Sequence, residues 1–324
     1  MRNIPEYMVI VEKGLADLHF PDRPKELYDP LRYILTLGGK RMRPVLLLMA
    51  HELFGGKAEN ALPQAIAIEL FHNFSLIHDD IMDNAPLRRG KKTVHEKWNS
   101  NVGILSGDAM LVIAYQQMSK CAADKLPEVV RVFNRTAIEV CEGQQYDMEF
   151  ETRDDVSIEE YINMIALKTS VLLGGALEIG AILANANKKD AEHLNEFGKN
   201  LGIAFQLQDD LLDAYGDPDK FGKKVGGDIV ANKKTYLVLK ALKDADANQN
   251  KELQQLIQSG TIPEETKIRQ VLELFNALSI PEKTRMAMDE YYAKSIHHLN
   301  AISLDASKKA PLEKLAESLM VREH

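Results

Sequence analysis

Apolar residues recur three and four positions apart along most of this chain, the spacing that lays a stripe down one side of an α-helix. The segments Pro44–Phe54, Leu62–Asp83, Ala109–Ala122, Glu128–Phe150, Ile158–Ala186 and Lys189–Ala214 all carry it. They are rich in Leu, Ala, Ile, Met, Glu, Lys and Gln, which lose little freedom in a helix. Alternating Val, Ile and Thr runs closed by two-residue turns, the mark of strands, are almost absent. Gly55-Gly56, Pro86 with Gly90, Pro127, Gly216 with Pro218, and Gly226-Gly227 punctuate the pattern. No heptad repeat is sustained, which argues against a coiled coil. The stretch Asp244–Lys267 reads as polar and loop-like, and it is too short to separate domains. The pattern predicts an all-α chain, a single large domain spanning residues 1–324.

Composition narrows the function classes. The chain has 48 acidic against 40 basic residues, a formal charge of -8, which argues against a protein that coats nucleic acid. Hydrophobic residues make up 45%, enough for a substantial core. Two cysteines, Cys121 and Cys141, cannot form a disulfide framework, and a reducing, cytoplasmic setting is expected. The first residues, MRNIPEYMVIVEKGLADLHF, lack the order of a signal peptide. The most apolar run, Thr169 to Asn187, is interrupted by Glu178, so no membrane span is expected.

The candidate chemistry lies in two pentapeptides, Asp79-Asp80-Ile81-Met82-Asp83 and Asp209-Asp210-Leu211-Leu212-Asp213. At about 100° per residue, helix positions i, i+1 and i+4 fall within roughly a 100° arc. Each motif is therefore expected to point three carboxylates along one face, near a helix end set by Pro86 or by Gly216 and Pro218. Acids in a last turn oppose the helix dipole and repel one another, so the arrangement asks for a cation. Carboxylate oxygens suit Mg²⁺. Positive charge follows each motif: Arg88, Arg89, Lys91 and Lys92 after the first, Lys220, Lys223, Lys224, Lys233 and Lys234 after the second. A third cluster, Gly38-Gly39-Lys40-Arg41-Met42-Arg43-Pro44, precedes a helix. Acids that take a metal, beside Arg and Lys that neutralise oxygens, form the set a diphosphate requires.

These blocks resemble the trans-isoprenyl diphosphate synthases of the polyprenyl synthetase family. The resemblance rests on GGKRMRP at Gly38–Pro44, LFHNFSLIHDDIMDNAPLRRG at Leu70–Gly90 and GQQYD at Gly143–Asp147. It continues in KTS at Lys168–Ser170, FQLQDDLLD at Phe205–Asp213 and FGKKVGGDIVANKKTY at Phe221–Tyr236. It implies the isoprenoid synthase fold, a multi-helix bundle with a central cavity, and head-to-tail condensation of isopentenyl diphosphate with an allylic diphosphate. Asp79, Asp83 and Asp209 would bind Mg²⁺ directly, three ions to a site. Asp80, Asp210 and Asp213 would complete the ligand set or hold metal-bound water. Lys40, Arg43, His72 and Arg89 would hold isopentenyl diphosphate, and Arg88, Lys168, Lys223 and Lys233 the allylic diphosphate. Thr169 and Gln206 would face the reacting allylic carbon, with Gln144 and Asp147 supporting the metal site. His72 lies seven residues before Asp79, two helical turns, and so shares a face with it.

Phe74, five positions before Asp79, would block the growing hydrocarbon; one aromatic there and no insertion in the motif resemble twenty-carbon synthases, with fifteen-carbon and longer products the next expectations. The family is typically dimeric, and the small-residue helix Ala109–Ala122 could supply the packed face. A terpene cyclase shares the all-α fold and an aspartate-rich motif, but its second metal site usually has an Asn/Ser/Glu pattern, where this chain has DDLLD. A di-iron carboxylate bundle needs two Glu-x-x-His motifs, and Glu69–His72 is the only one.

Overall fold

The computed structural model describes residues 2–216, 225–259 and 261–320. Most of them are helical. Among the described residues the strands are Leu87–Arg88 and Lys91–Lys92, an antiparallel pair with Leu87 opposite Lys92 and Arg88 opposite Lys91. The chain divides into two compact units. One comprises Met1–Thr136, Leu172–Asn195 and Ile302–Pro311; the other comprises Ala137–Val171, Glu196–Ala301 and Leu312–His324.

The first unit is built around the helix Leu62–Met82. Pro63 sits in its first turn, where a missing N–H costs nothing, and Asp83 ends it with its N–H on Asp79 O. Ala65, Ile66, Ala67, Ile68, Leu70, Phe71 and Ile77 are buried around most of its circumference, as in a helix surrounded by others. The helices Ser100–Met118, Met42–Leu53 and Ile4–Ala16 pack against it. Phe71 meets Phe133 edge-to-face at 5.5 Å. Burying a side chain of that size contributes about 1.5–3 kcal/mol.

The second unit buries Ile203, Leu207, Leu211 and Ala214 of the helix Lys188–Tyr215 in a core with Leu237, Leu253, Val271, Phe275 and Ile280. Their spacing of four, four and three puts them on one side of that helix. The predicted helix Ile158–Ala186 appears as Ile158–Ile165 and Val171–Leu183, joined by a π-helical turn at Ala166–Ser170. The run Ile158–Leu183 is long and apolar enough to cross a membrane, but 72% of its most apolar window is buried in the protein, as in a core helix.

The expectation of a loop-like Asp244–Lys267 is wrong. Helices Ala247–Gln258 and Glu264–Ala277 occupy most of it. Asp246 caps the first through the N–H groups of Asn248 and Gln249, and the Gln249 side chain returns a bond to Asp246 N. Leu253 and Leu256 are its buried residues, a narrow stripe easily masked by the polar positions around it.

Candidate active site

The first acidic motif closes the helix Leu62–Met82 in the first unit. Its three carboxylates do not share one environment. Asp80 lies about 60° around the helix from Ile77, while Asp79 and Asp83 point well away from it. Ile77 is fully buried and Asp80 is 1% exposed. Arg88 meets the inward carboxylate, with Nε at 3.0 and 2.9 Å from its two oxygens and Nη2 at 2.8 Å from Oδ1. The same Nη2 is 3.4 Å from Asp79 Oδ2. Burial raises the Asp80 pKa above the ordinary carboxylate value, and Arg88 offsets some of that rise. The hairpin turn at Arg89-Gly90 has positive φ at both residues, as a two-residue type I′ turn requires, and it fixes where Arg88 and Arg89 leave the backbone.

A cationic cluster lies in the same unit. Arg43 Nη1 donates to His72 Nε2 at 3.3 Å. Arg89 donates to Gly38 O. Gly39, at φ +139°, allows that approach: a Cβ there would sit 2.9 Å from the Arg89 Nη atoms. Burial pulls the Arg43 pKa down, Glu69 opposes the shift, and Arg89 adds to it. Burial and then the Arg43 charge hold His72 well below its ordinary value, so the imidazole is neutral and accepts from Arg43. Arg43 Nε is buried with no hydrogen-bond partner among the described residues. Lys40 is an exposed residue of the same loop. Phe74 lies farther along the helix, its ring 5.5 Å from Phe71 and 4.8 Å from the His78 ring.

The second motif sits near the end of Lys188–Tyr215 in the second unit. Asp210, 5% exposed, again takes the inward direction, next to Leu207 and Leu211. Tyr161 OH donates to Asp210 Oδ2. The Tyr236 N–H reaches the same oxygen at 3.4 Å, and Gln206 Nε2 reaches Oδ1 at 3.4 Å. Burial pushes Asp210 up to about 7, against the pull of the Tyr161 bond. Asp213 Oδ2 accepts from Asp228 N at 2.9 Å, at the start of the helix Gly227–Val230. Lys233, more than half exposed, is 3.8 Å from Asp228. Lys223 lies outside the described residues.

Lys168 and Thr169 stand on the π-helical turn of this unit, a rare geometry that recurs at functional sites. Lys168 Nζ donates to Asp147 Oδ2 at 2.5 Å. The turn presses on Gly143, where a Cβ would come within 2.1 Å of Lys168 N, so only glycine fits. Gln144, next in the chain, has a buried Nε2 with no partner among the described residues.

The polyprenyl synthetase sequence pattern matches residues 24–275, more than three quarters of the chain. The chain belongs to the polyprenyl synthetase family. It is 41% identical over 256 residues to a short chain isoprenyl diphosphate synthase of Methanocaldococcus jannaschii, covering 79% of this chain and 78% of that one. It is 42% identical over 233 residues to a geranylgeranyl diphosphate synthase of Methanosarcina mazei, covering 71% and 72%. A crystal structure of a geranylgeranyl pyrophosphate synthase superposes with a TM-score of 0.95 at 46% identity, over 100% of both chains. This polyprenyl synthetase has the all-α isoprenoid synthase fold.

Among the described residues no three His, Cys, Asp or Glu side chains converge to hold a metal by themselves. Mg²⁺ binds one or two carboxylates and fills its octahedron with water and phosphate oxygens. Asp79 and Asp83, one helical turn apart, would supply such a pair of carboxylates.

Sequence reasoning missed Arg41, Glu69 and Tyr161 in this polyprenyl synthetase. Tyr161 is 49 residues from the Asp210 it holds, and no local pattern marks it. Glu69 had a signal, since it precedes His72 by three positions, but as Glu-x-x-His it suggested iron rather than an arginine partner.

Proposed function

We propose that this prenyltransferase condenses isopentenyl diphosphate, head to tail, with an allylic diphosphate to give geranylgeranyl diphosphate and inorganic diphosphate. One observation carries the reading: the first unit holds the half-buried Arg43 guanidinium beside Arg89, its Nε buried and without a partner among the described residues, on the helix-and-hairpin frame that also holds the first acidic motif. A buried guanidinium N–H without an acceptor is costly unless an anion arrives. In this reading Lys40, Arg43, His72 and Arg89 hold isopentenyl diphosphate, with neutral His72 donating through its Nδ1–H. Lys168, Lys233, Arg88 and Lys223 hold the allylic diphosphate, and Thr169 and Gln206 face its reacting carbon. Asp79, Asp83 and Asp209 bind Mg²⁺, three ions to a site, while Asp80, Asp210 and Asp213 fix the frame around them. Mg²⁺, when bound, stabilises the negative charge of the departing diphosphate. The chain's own residues orient both substrates, exclude water, and keep Arg and Lys donors on the oxygens where charge grows. The leaving diphosphate takes the proton lost from the new prenyl chain, so no protein base is needed.

The whole chain serves as one catalytic domain in the cytoplasm, a reading supported by a family match that runs through both units. Two copies pair through the helix Ser100–Met118. Its Ile104, Leu105 and Val112 are 46%, 61% and 58% exposed and lie along one side, an unusual apolar face for solvent. Light scattering that gave a monomer mass at micromolar concentration would refute the dimer. Twenty-carbon length is supported by the names of the relatives and by the single aromatic, Phe74, before the acids. Phe74→Ala is expected to lengthen the product; an unchanged distribution from an active mutant would place the floor on other residues.

The test is incubation with isopentenyl diphosphate and each of dimethylallyl, geranyl and farnesyl diphosphate, with products identified by mass. The expected product is the twenty-carbon diphosphate. Cyclic hydrocarbon would favour a terpene cyclase, whose ionisation step needs the same acids but no isopentenyl diphosphate.

A further inference from the structure

Two arginines two residues apart in the glycine-led loop live in opposite circumstances. Arg43 has one hydrogen bond, to His72, and a buried Nε without a partner among the described residues. Arg41 is saturated. Its side chain is 1% exposed, and Nη1 lies 2.6 Å from Glu69 Oε1, Nε 2.8 Å from Glu12 Oε1, and Nη2 2.8 Å from Leu35 O. Those acceptors belong to three different helices: Glu12 to Ile4–Ala16, Leu35 to Lys25–Thr36 and Glu69 to Leu62–Met82.

The backbone adds a second observation. Gly38, Gly39 and Arg41 have φ of +77°, +139° and +48°. The first two are glycines, but Arg41 carries a Cβ into the left-handed region, where a side chain is strained unless its surroundings hold it. The three bonds of its guanidinium are that hold. Glu69 is fixed in turn, accepting from Asn73 Nδ2 at 3.1 Å while the same amide donates to Glu69 O at 2.7 Å. It is also the carboxylate that acts on the Arg43 and Arg89 charges, and it lies one turn from His72.

We infer that Arg41 is a positioning residue: clamped on Glu12, Leu35 and Glu69, it sets the backbone of the Gly38–Arg43 loop so that Lys40 and Arg43 meet the diphosphate of the non-allylic substrate. This rests on the prenyl-transfer reading above. A buried ion pair with only a structural role would alter stability or the active fraction; a positioning clamp alters the affinity of one substrate.

The test compares wild type with Arg41→Lys, which keeps the charge but cannot span three acceptors, and Glu12→Gln, which weakens only the half-exposed arm. The expected result for Arg41→Lys is a KM for isopentenyl diphosphate raised about tenfold or more, with kcat and the allylic KM within about twofold. Glu12→Gln should move the same KM about threefold. An unchanged KM for isopentenyl diphosphate, or an equal rise for both substrates, overturns the inference; if Arg41→Lys does not fold, Glu12→Gln decides by the same criterion. Calorimetric titration with inorganic diphosphate in chelator separates the two readings. Wild type that makes no prenyl diphosphate overturns the proposed function, whereas equal diphosphate affinity in wild type and variants overturns the clamp.

Discussion

The two acidic motifs share letters, spacing and helical phase, yet their inward-turned members meet different company. In both, the second aspartate lies next to the buried stripe of its helix, Asp80 beside Ile77 and Asp210 beside Leu207 and Leu211. Asp80 is met by a guanidinium at 2.8 Å and remains one half of an ion pair. Asp210 is met by a phenol, a backbone N–H and a carboxamide, all neutral, and burial pushes it up to about 7. The motif decides which acid turns inward; the residue waiting there, brought from elsewhere in the sequence, decides what that acid is.

The largest effect should come from the outward acids, where the two motifs are alike. Asp79→Asn and Asp209→Asn are each expected to cut turnover by about 10²–10³-fold or more with the circular dichroism spectrum unchanged. Full activity of either variant, or of wild type in excess chelator, would sink the metal account. The inward acids should separate the motifs. Asp80→Asn removes the charge that pairs with Arg88 and should cost about 2 kcal/mol in urea unfolding, the scale of a lost hydrogen bond to a charged group. Asp210→Asn removes a buried charge while keeping an acceptor for Tyr161, so stability should hold within about 0.5 kcal/mol or rise. Equal losses would erase the difference between the motifs.

A smaller effect concerns His72, on the same helix as Asp80. Its folded pKa lies well below the ordinary 6.5, so below about pH 6.5 the unfolded chain binds a proton that the folded chain does not. Stability must therefore fall as pH drops through 6.5 toward the folded value. Melting temperatures of metal-free protein should show that slope in wild type and a flatter one in His72→Asn. Identical slopes would mean that His72 is not held neutral.

Much of the first unit's site was legible because its chemistry is local. His72 and Asp79 sit on one helix that Asp83 caps, and the spacing alone places them. Arg88 and Arg89 follow within a short hairpin whose Arg-Gly turn sets their directions. The arc argument missed that a shift of one position moves Asp80 from the outward side onto the buried one. Long-range partners were illegible: Tyr161 for Asp210, and Glu12 and Glu69 for Arg41. Helix Ala247–Gln258 was hidden by its own polarity, although Asp246 and Gln249 spell a capping box. The π-helical turn at Lys168 had a trace in the sequence, since Gly143 lies in the block GQQYD, but nothing paired the two segments.

The most direct test of the account is the stoichiometry of diphosphate release from farnesyl diphosphate, measured with and without isopentenyl diphosphate at saturating Mg²⁺. A synthase with a second diphosphate subsite couples ionisation to condensation. The prediction is one diphosphate released for each twenty-carbon prenyl diphosphate formed, and negligible release when isopentenyl diphosphate is withheld. Rapid release without isopentenyl diphosphate, accompanied by a hydrocarbon or alcohol product, would contradict it.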